Sequence, residues 1–149
     1  MSKPRLSIGC DHGGFEQKAQ LERWLVEQGY QVTNRGCDSA DRVDYPDHAE
    51  LVANDVASGN ADYGILVCGT GIGMAIAANK VRGIRAANIT SVDFAKLTRQ
   101  HNDANVLTLS GRFVSLEDNK AIVEAFLNTD FEGGRHVGRL EKIANIEEK

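Results

Sequence analysis

The chain has 149 residues, of which 42% are hydrophobic and 26% charged, and its formal net charge is −4. Acidic and basic residues are interspersed, which argues against a nucleic-acid-binding face, and no apolar run approaches the roughly 20 residues a membrane span needs. The cysteines Cys10, Cys37 and Cys68 are odd in number without disulfide-framework spacing, and the N-terminus lacks a signal-peptide plan, so the expected compartment is the reducing cytoplasm.

Arg5 to Cys10 reads as a first strand. From Phe15 to Gln28 the residues Phe15, Ala19, Leu21, Trp24 and Leu25 keep a helical spacing, and Gly29 supplies the stop. Gln31 to Arg35 can form a short second strand. Pro46 and Asp47 then open a helix with Ala49, Val52 and Val56 on its buried face, ending near Gly59. Tyr63 to Val67 is a third strand, Met74 to Lys80 a helix, Ile84 to Ile89 a fourth strand, Val92 to Arg99 a helix and Val106 to Leu109 a fifth strand. Leu116 to Leu127 and Arg135 to Ile146 read as closing helices. Strands that alternate with helices predict an α/β fold, a five-stranded parallel sheet covered on both faces, in one domain over residues 1–149. In such folds ligands bind beyond the C-terminal strand ends. Cys10-Asp11-His12, Cys68 to Gly73 and Arg112 all fall there.

Cys68-Gly69-Thr70-Gly71-Ile72-Gly73 carries the most chemistry. A thiol ends an apolar run and opens a glycine-rich turn into a helix, where free N–H groups and the helix dipole favour negative charge. One segment can thus hold a base and an oxyanion site. The bland alternative is a buried, inert cysteine in a tight turn. Asp11 and His12 are either turn residues or an acid/base or hydroxyl-binding pair. His101 is either a cation at a helix C-terminus or a general acid/base, with Asn102 and Asp103 completing a polar turn. That turn lies at the N-terminal strand end, so a catalytic His101 is expected to serve a partner subunit's crevice. Arg135 and Arg139 share a helix face behind Gly133-Gly134; they read as solvated surface or, with Arg112, as forks for a phosphate monoester. His48 and His136 read as surface or support residues.

No metal is expected, because the histidines and cysteines show no ligand spacing. A nicotinamide cofactor is not expected either. The glycines give G-x-G-x-G after the third strand, and Ala86-Ala87-Asn88 lacks the acid that binds a ribose.

Gly9-Cys10-Asp11-His12, Asp44-Tyr45-Pro46, Cys68-Gly69-Thr70-Gly71-Ile72-Gly73, Ala77-Ala78-Asn79-Lys80, Gly83-Ile84-Arg85-Ala86, His101-Asn102-Asp103-Ala104-Asn105 and Phe131-Glu132-Gly133-Gly134-Arg135-His136 occur in order. Together they resemble the ribose/galactose isomerase family, in particular its type B ribose-5-phosphate isomerases, over nearly the whole chain. The resemblance implies a Rossmann-like three-layer α/β/α sandwich and a homodimer whose active sites are built from both chains. It implies reversible conversion of ribose 5-phosphate to ribulose 5-phosphate through an enediolate, without a metal or organic cofactor. By matching motif, Cys68 would move the proton between C2 and C1, and His101 would open the furanose ring, helped by Thr70 and Asp11. Gly69, Thr70, Gly71, Ile72 and Gly73 would offer N–H groups to the enediolate. Asn102 would bind substrate, while His12, Arg112, Arg135 and Arg139 would hold hydroxyls or phosphate. Cys37, in the surface-like turn Gly36-Cys37-Asp38-Ser39, has no assigned role, and Leu109-Ser110-Gly111-Arg112 departs from the family's order of small residues.

Two alternatives remain at this point. One is isomerisation of another phosphosugar, such as galactose 6-phosphate, allose 6-phosphate or a tetrulose phosphate. The other is a non-catalytic phosphosugar-binding module on the same fold.

Overall fold

Apolar runs of five or six residues alternate with amphipathic stretches, and a computed structural model describing residues 3–149 turns them into five strands and six helices. In chain order these are β1 (Leu6–Cys10), α1 (Phe15–Glu27), β2 (Val32–Asn34), α2 (Tyr45–Ala57), β3 (Tyr63–Cys68) and α3 (Ile72–Ala78). Then follow β4 (Ala86–Asn88), α4 (Val92–Asn102), β5 (Val106–Ser110), α5 (Leu116–Leu127) and α6 (Arg135–Glu147). The strands are all parallel, in the order β2-β1-β3-β5-β4. Every residue of β1 and β5 is buried, as expected for central strands covered on both faces.

Side chains alternate across each strand and so build two cores. Leu21 and Leu25 of α1, Ala95 of α4, and Ile122, Val123 and Phe126 of α5 cover Leu6, Ile8, Cys10, Ile65, Val67, Leu107 and Leu109 on one face. Ala49, Val52 and Ala53 of α2, with Met74 and Ala78 of α3, cover Leu66, Cys68 and Val106 on the other. The thiols of Cys10 and Cys68 therefore belong to opposite faces. α6 lies on α4.

Several boundaries differ from the expectation. The edge strands β2 and β4 are three residues each, shorter than the expected strands 31–35 and 84–89. At β4 the Arg85 N–H is taken by the Asn105 side chain instead of the ladder. α3 begins at Ile72, directly after Gly71. α4 runs on to Asn102, so His101 and Asn102 belong to its last turn and Asp103 closes it with φ 45°. Val56 is half-buried, while Ala49 and Val52 are fully buried as expected. Cys37 is buried too, which corrects its reading as a surface-like turn residue: its loop folds back over Cys10, across a cis Gly36–Cys37 peptide.

Candidate active site

Three glycine-bearing turns converge at the C-terminal end of the sheet because their glycines leave no room for side chains. A Cβ on Gly14 would lie 2.2 Å from the Val67 carbonyl oxygen, and one on Gly111 would lie 2.9 Å from the Gly13 oxygen. Gly71 has φ 86°, and a Cβ there would lie 2.3 Å from Asn88 Oδ1. Only glycine meets both demands.

Cys68 ends β3 opposite Ser110 in the register. Its side chain is buried on the α2/α3 face, and the Gly71 N–H donates to its sulfur at 3.0 Å. Thr70 is exposed, and its Oγ1 accepts the Ile72 N–H at 3.1 Å. Two of the five N–H groups expected to face an oxyanion, those of Gly71 and Ile72, are thus engaged within the turn. Those of Gly69, Thr70 and Gly73 have no acceptor among the described residues.

The turn is held from β5. Ser110 Oγ donates to the Gly69 carbonyl and Thr108 Oγ1 to the Gly71 carbonyl, each at 2.7 Å. Sequence reasoning missed both residues. The signal was present: in Val106-Leu107-Thr108-Leu109-Ser110 two hydroxyls alternate with apolar residues along a fully buried strand, and buried hydroxyls need partners. Ser110 also accepts the Phe113 N–H at 3.0 Å, and the Arg112 N–H donates to Gly69 O at 3.2 Å. These bonds fix the segment whose order departs from the family pattern. They lay the Arg112 guanidinium over Gly13 and Gly69, where a Cβ would come within 3.3 Å of it. Behind them Asn119 Nδ2 donates to Ser110 O and Gln17 Nε2 to Gly111 O.

Asp11 and His12 follow β1 into the same crevice. Asp11 Oδ1 accepts the Gly13 N–H at 2.8 Å, an Asx turn, and His12 Nδ1 accepts the Val43 N–H at 3.3 Å. The structure therefore brings Asp11, His12, Gly69, Thr70, Gly71, Ile72, Gly73, Cys68 and Arg112 to one end of the sheet.

His101, Asn102, Arg135 and Arg139 are not brought there. β5 runs from Val106 to Ser110, and its roughly 13 Å of rise separates the end bearing His101 from the end bearing Cys68. The His101 ring stacks on His136 with centroids 4.5 Å apart. Glu132 Oε1 stands 3.9 Å from His101 Nε2 and 3.3 Å from His136 Nε2. The second contact lacks hydrogen-bonding geometry, so the buried His136 Nε2 has no hydrogen-bond partner among the described residues. His136 is thus a buried support for His101. Asn102 Oδ1 accepts from Thr98 Oγ1, and its carbonyl accepts from Arg85 Nε. Arg135 and Arg139 are exposed on the first turns of α6, and neither they nor Arg112 pairs with a carboxylate among the described residues. His101, Glu132 and His136 place three donor atoms within 4.8 Å of one another, a ligand set that sequence spacing did not show. No helix among the described residues is long and apolar enough to cross a membrane.

Residues 6–143 match the model of the ribose/galactose isomerase family. The chain is 49% identical over 145 residues to the ribose-5-phosphate isomerase B of Escherichia coli, covering 97% of each chain. It superposes on the ribose-5-phosphate isomerase B of Clostridium thermocellum with a TM-score of 0.96 at 46% identity, covering 97% of each chain. It superposes on that of Mycoplasma genitalium, solved with bound ribulose-5-phosphate, with a TM-score of 0.93 at 44% identity, again covering 97% of each.

Proposed function

The chain belongs to the ribose/galactose isomerase family, and we propose that it interconverts ribose 5-phosphate and ribulose 5-phosphate in the cytoplasm as a homodimer. One isomerase domain spans residues 1–149. The observation that carries this reading is Cys68: its sulfur is held by the Gly71 N–H at the mouth of a turn that still offers free N–H groups. Moving a proton between C2 and C1, one of which is the carbonyl carbon, leaves negative charge on oxygen, so it needs this pairing of a base with an oxyanion site.

Opening the furanose requires a proton taken from the C1 hydroxyl and one delivered to the ring oxygen. His101 of one subunit does this for the crevice of the other, with Asp11 and Thr70 holding the hydroxyls. Cys68 then takes the C2 proton. The negative charge that develops on the enediolate oxygens faces the N–H groups of Gly69, Thr70 and Gly73, and the proton returns to C1. Arg112, Arg135 and Arg139 hold the phosphate, which takes no part in the chemistry but fixes the reacting carbons. His12 and Asn102 bind hydroxyls.

Ribulose 5-phosphate formation from ribose 5-phosphate, measured with purified protein in excess EDTA, tests the reading. Rapid turnover is expected. Turnover restored only by added divalent ion would assign the His101, Glu132 and His136 donors to a required metal. Turnover confined to six-carbon or four-carbon phosphosugars would overturn the choice of substrate.

A further inference from the structure

Cys10 and Cys37 take no part in the constellation above. Their sulfurs lie 3.2 Å apart in the core under α1 and α5, on the face of the sheet opposite Cys68. The Cys10 N–H donates to Gly36 O at 2.7 Å, and the Cys37 N–H donates to Cys10 O at 3.2 Å. Both bonds tie the Gly36–Cys37 peptide to Cys10, beyond the last paired residues of β1 and β2, Ile8 and Asn34. The backbones on either side of the two sulfurs are thus held next to each other, as a disulfide requires.

The surroundings also suit oxidation. Cys37 lines a cavity of about 410 Å³ with Asn34, Arg35, Asp38, Val43 and His48. Burial, reinforced by the Cys37 side chain, pushes the Cys10 thiol up, while the Cys37 N–H and the Lys18 ammonium act in the opposite direction. Cys37 is therefore the sulfur that meets an oxidant entering by the cavity, and Cys10 the sulfur that closes the bond.

We propose that Cys10 and Cys37 form a modification site, a dithiol that hydrogen peroxide converts to an intramolecular disulfide, reversibly. In the first step the Cys37 sulfur attacks a peroxide oxygen and the O–O bond breaks. Cys37 becomes a sulfenic acid, and water leaves with the thiol proton. In the second step the Cys10 sulfur attacks Cys37 Sγ, the S–S bond forms, the S–O bond breaks, and a second water leaves with the Cys10 proton. Two thiols give up two electrons and two protons, and hydrogen peroxide is reduced to two waters. A dithiol reductant reverses the bond by exchange. The sulfurs must close from 3.2 Å to about 2.05 Å, a movement taken up by the loop 36–44, which has no helix or strand. Cys10 runs directly into Asp11, and Val43 of the same loop donates to His12, so the bond fastens this loop at the root of the crevice.

The chain is treated with hydrogen peroxide, alkylated and digested with trypsin. The expected product joins peptide 6–18 to peptide 36–42, at a mass two hydrogens below their sum, and dithiothreitol abolishes it. The thermal midpoint of the oxidised chain should rise by several degrees, because the bond closes a loop of 27 residues. The same treatment of Cys37→Ser should leave the midpoint where it was. Separate sulfinic acids, a bridge to Cys68 or to another chain, or an equal rise in Cys37→Ser would overturn the proposal. Because the readout is a peptide and a midpoint, it stands whatever sugar the crevice acts on.

Discussion

At the C-terminal end of the sheet, the side chains and carbonyls of the turns are settled by the chain itself, which leaves N–H groups and Arg112 free among the described residues. Cys68 Sγ has Gly71, Thr70 Oγ1 has Ile72, Asp11 has Gly13, and the turn carbonyls have Ser110 and Thr108. At the other end, the buried Nε2 of His136 has no hydrogen-bond partner, Glu132 is exposed, and Arg135 and Arg139 face solvent unpaired among the described residues. One end is a preorganised backbone cradle, and the other is a set of charged side chains whose partners lie elsewhere. Only the buried His136 Nε2 bears the cost of a missing partner, whereas Arg135 and Arg139 are solvated forks open to an anion. A phosphate in the shared site proposed above would use them.

The largest effect should come from the cradle. Cys68→Ala is expected to lower kcat by about a thousandfold or more, the scale of a lost general base, while substrate still binds. Measuring kcat alongside equilibrium binding of ribose 5-phosphate would check this. A variant that keeps a tenth of its turnover would mean that another group takes the C2 proton.

Next in size is the link between the two ends. His101→Ala should lose about a hundredfold in kcat by itself. Co-expressed with Cys68→Ala, it should recover to roughly a quarter of the native rate, because in the proposed homodimer half of randomly formed pairs carry one site with both residues intact. Failure to recover would rule out sites shared between subunits. The histidine end would then work within its own chain, through a rearrangement that carries it across the length of β5.

How much of this contrast is legible in the amino-acid sequence? The elements are, because Gly29, Gly59 and Pro46 punctuate strong periodicities that depend on neighbours close in sequence. The placing of His101 at the wrong end for Cys68 is legible too, since a helix leading into a parallel strand must end at that strand's start. The order β2-β1-β3-β5-β4 is not, because strand neighbours are chosen by packing between distant segments. Ser110, Thr108 and Asn119 escape notice for the same reason: each acts on a turn or strand end that only the tertiary fold brings beside it. Glu132 and His136 stand four residues apart on the chain, yet their meaning as a group requires His101 from another helix.

Gly71→Ala sharpens the account of the cradle. A side chain at φ 86° is strained, and its Cβ would press on Asn88 Oδ1 and on the Leu109 backbone. Roughly 1–3 kcal/mol of stability should be lost, and the N–H on Cys68 Sγ should move with the turn. Turnover is expected to fall more than the unfolding midpoint alone would explain. Equal kinetics in a destabilised protein would show that the Gly71 N–H only shapes the loop.

The smallest effect belongs to neither end but to the brace beneath the cradle. Asp55 in α2 accepts from Arg35 Nε at 2.7 Å and from Ser7 Oγ of β1 at 2.8 Å. The Arg35 bond leads in holding its carboxyl below the usual carboxylate range, burial opposes it, and Ser7 adds to the lowering. A carboxyl depressed in the folded state stabilises the fold at pH values above its unfolded pKa, and that contribution is lost as pH falls through the folded value. Asp55→Asn should therefore lower the thermal midpoint at pH 7, and the gap from the native chain should narrow as pH is taken down through about 4 and below. Since Asp55 faces the strand and not the crevice, kcat at pH 7 should hardly change. A kcat that falls with an unchanged midpoint would mean that the brace reaches the chemistry through β1 and Asp11. The preorganisation of the C-terminal end would then extend across the sheet, beyond its turns.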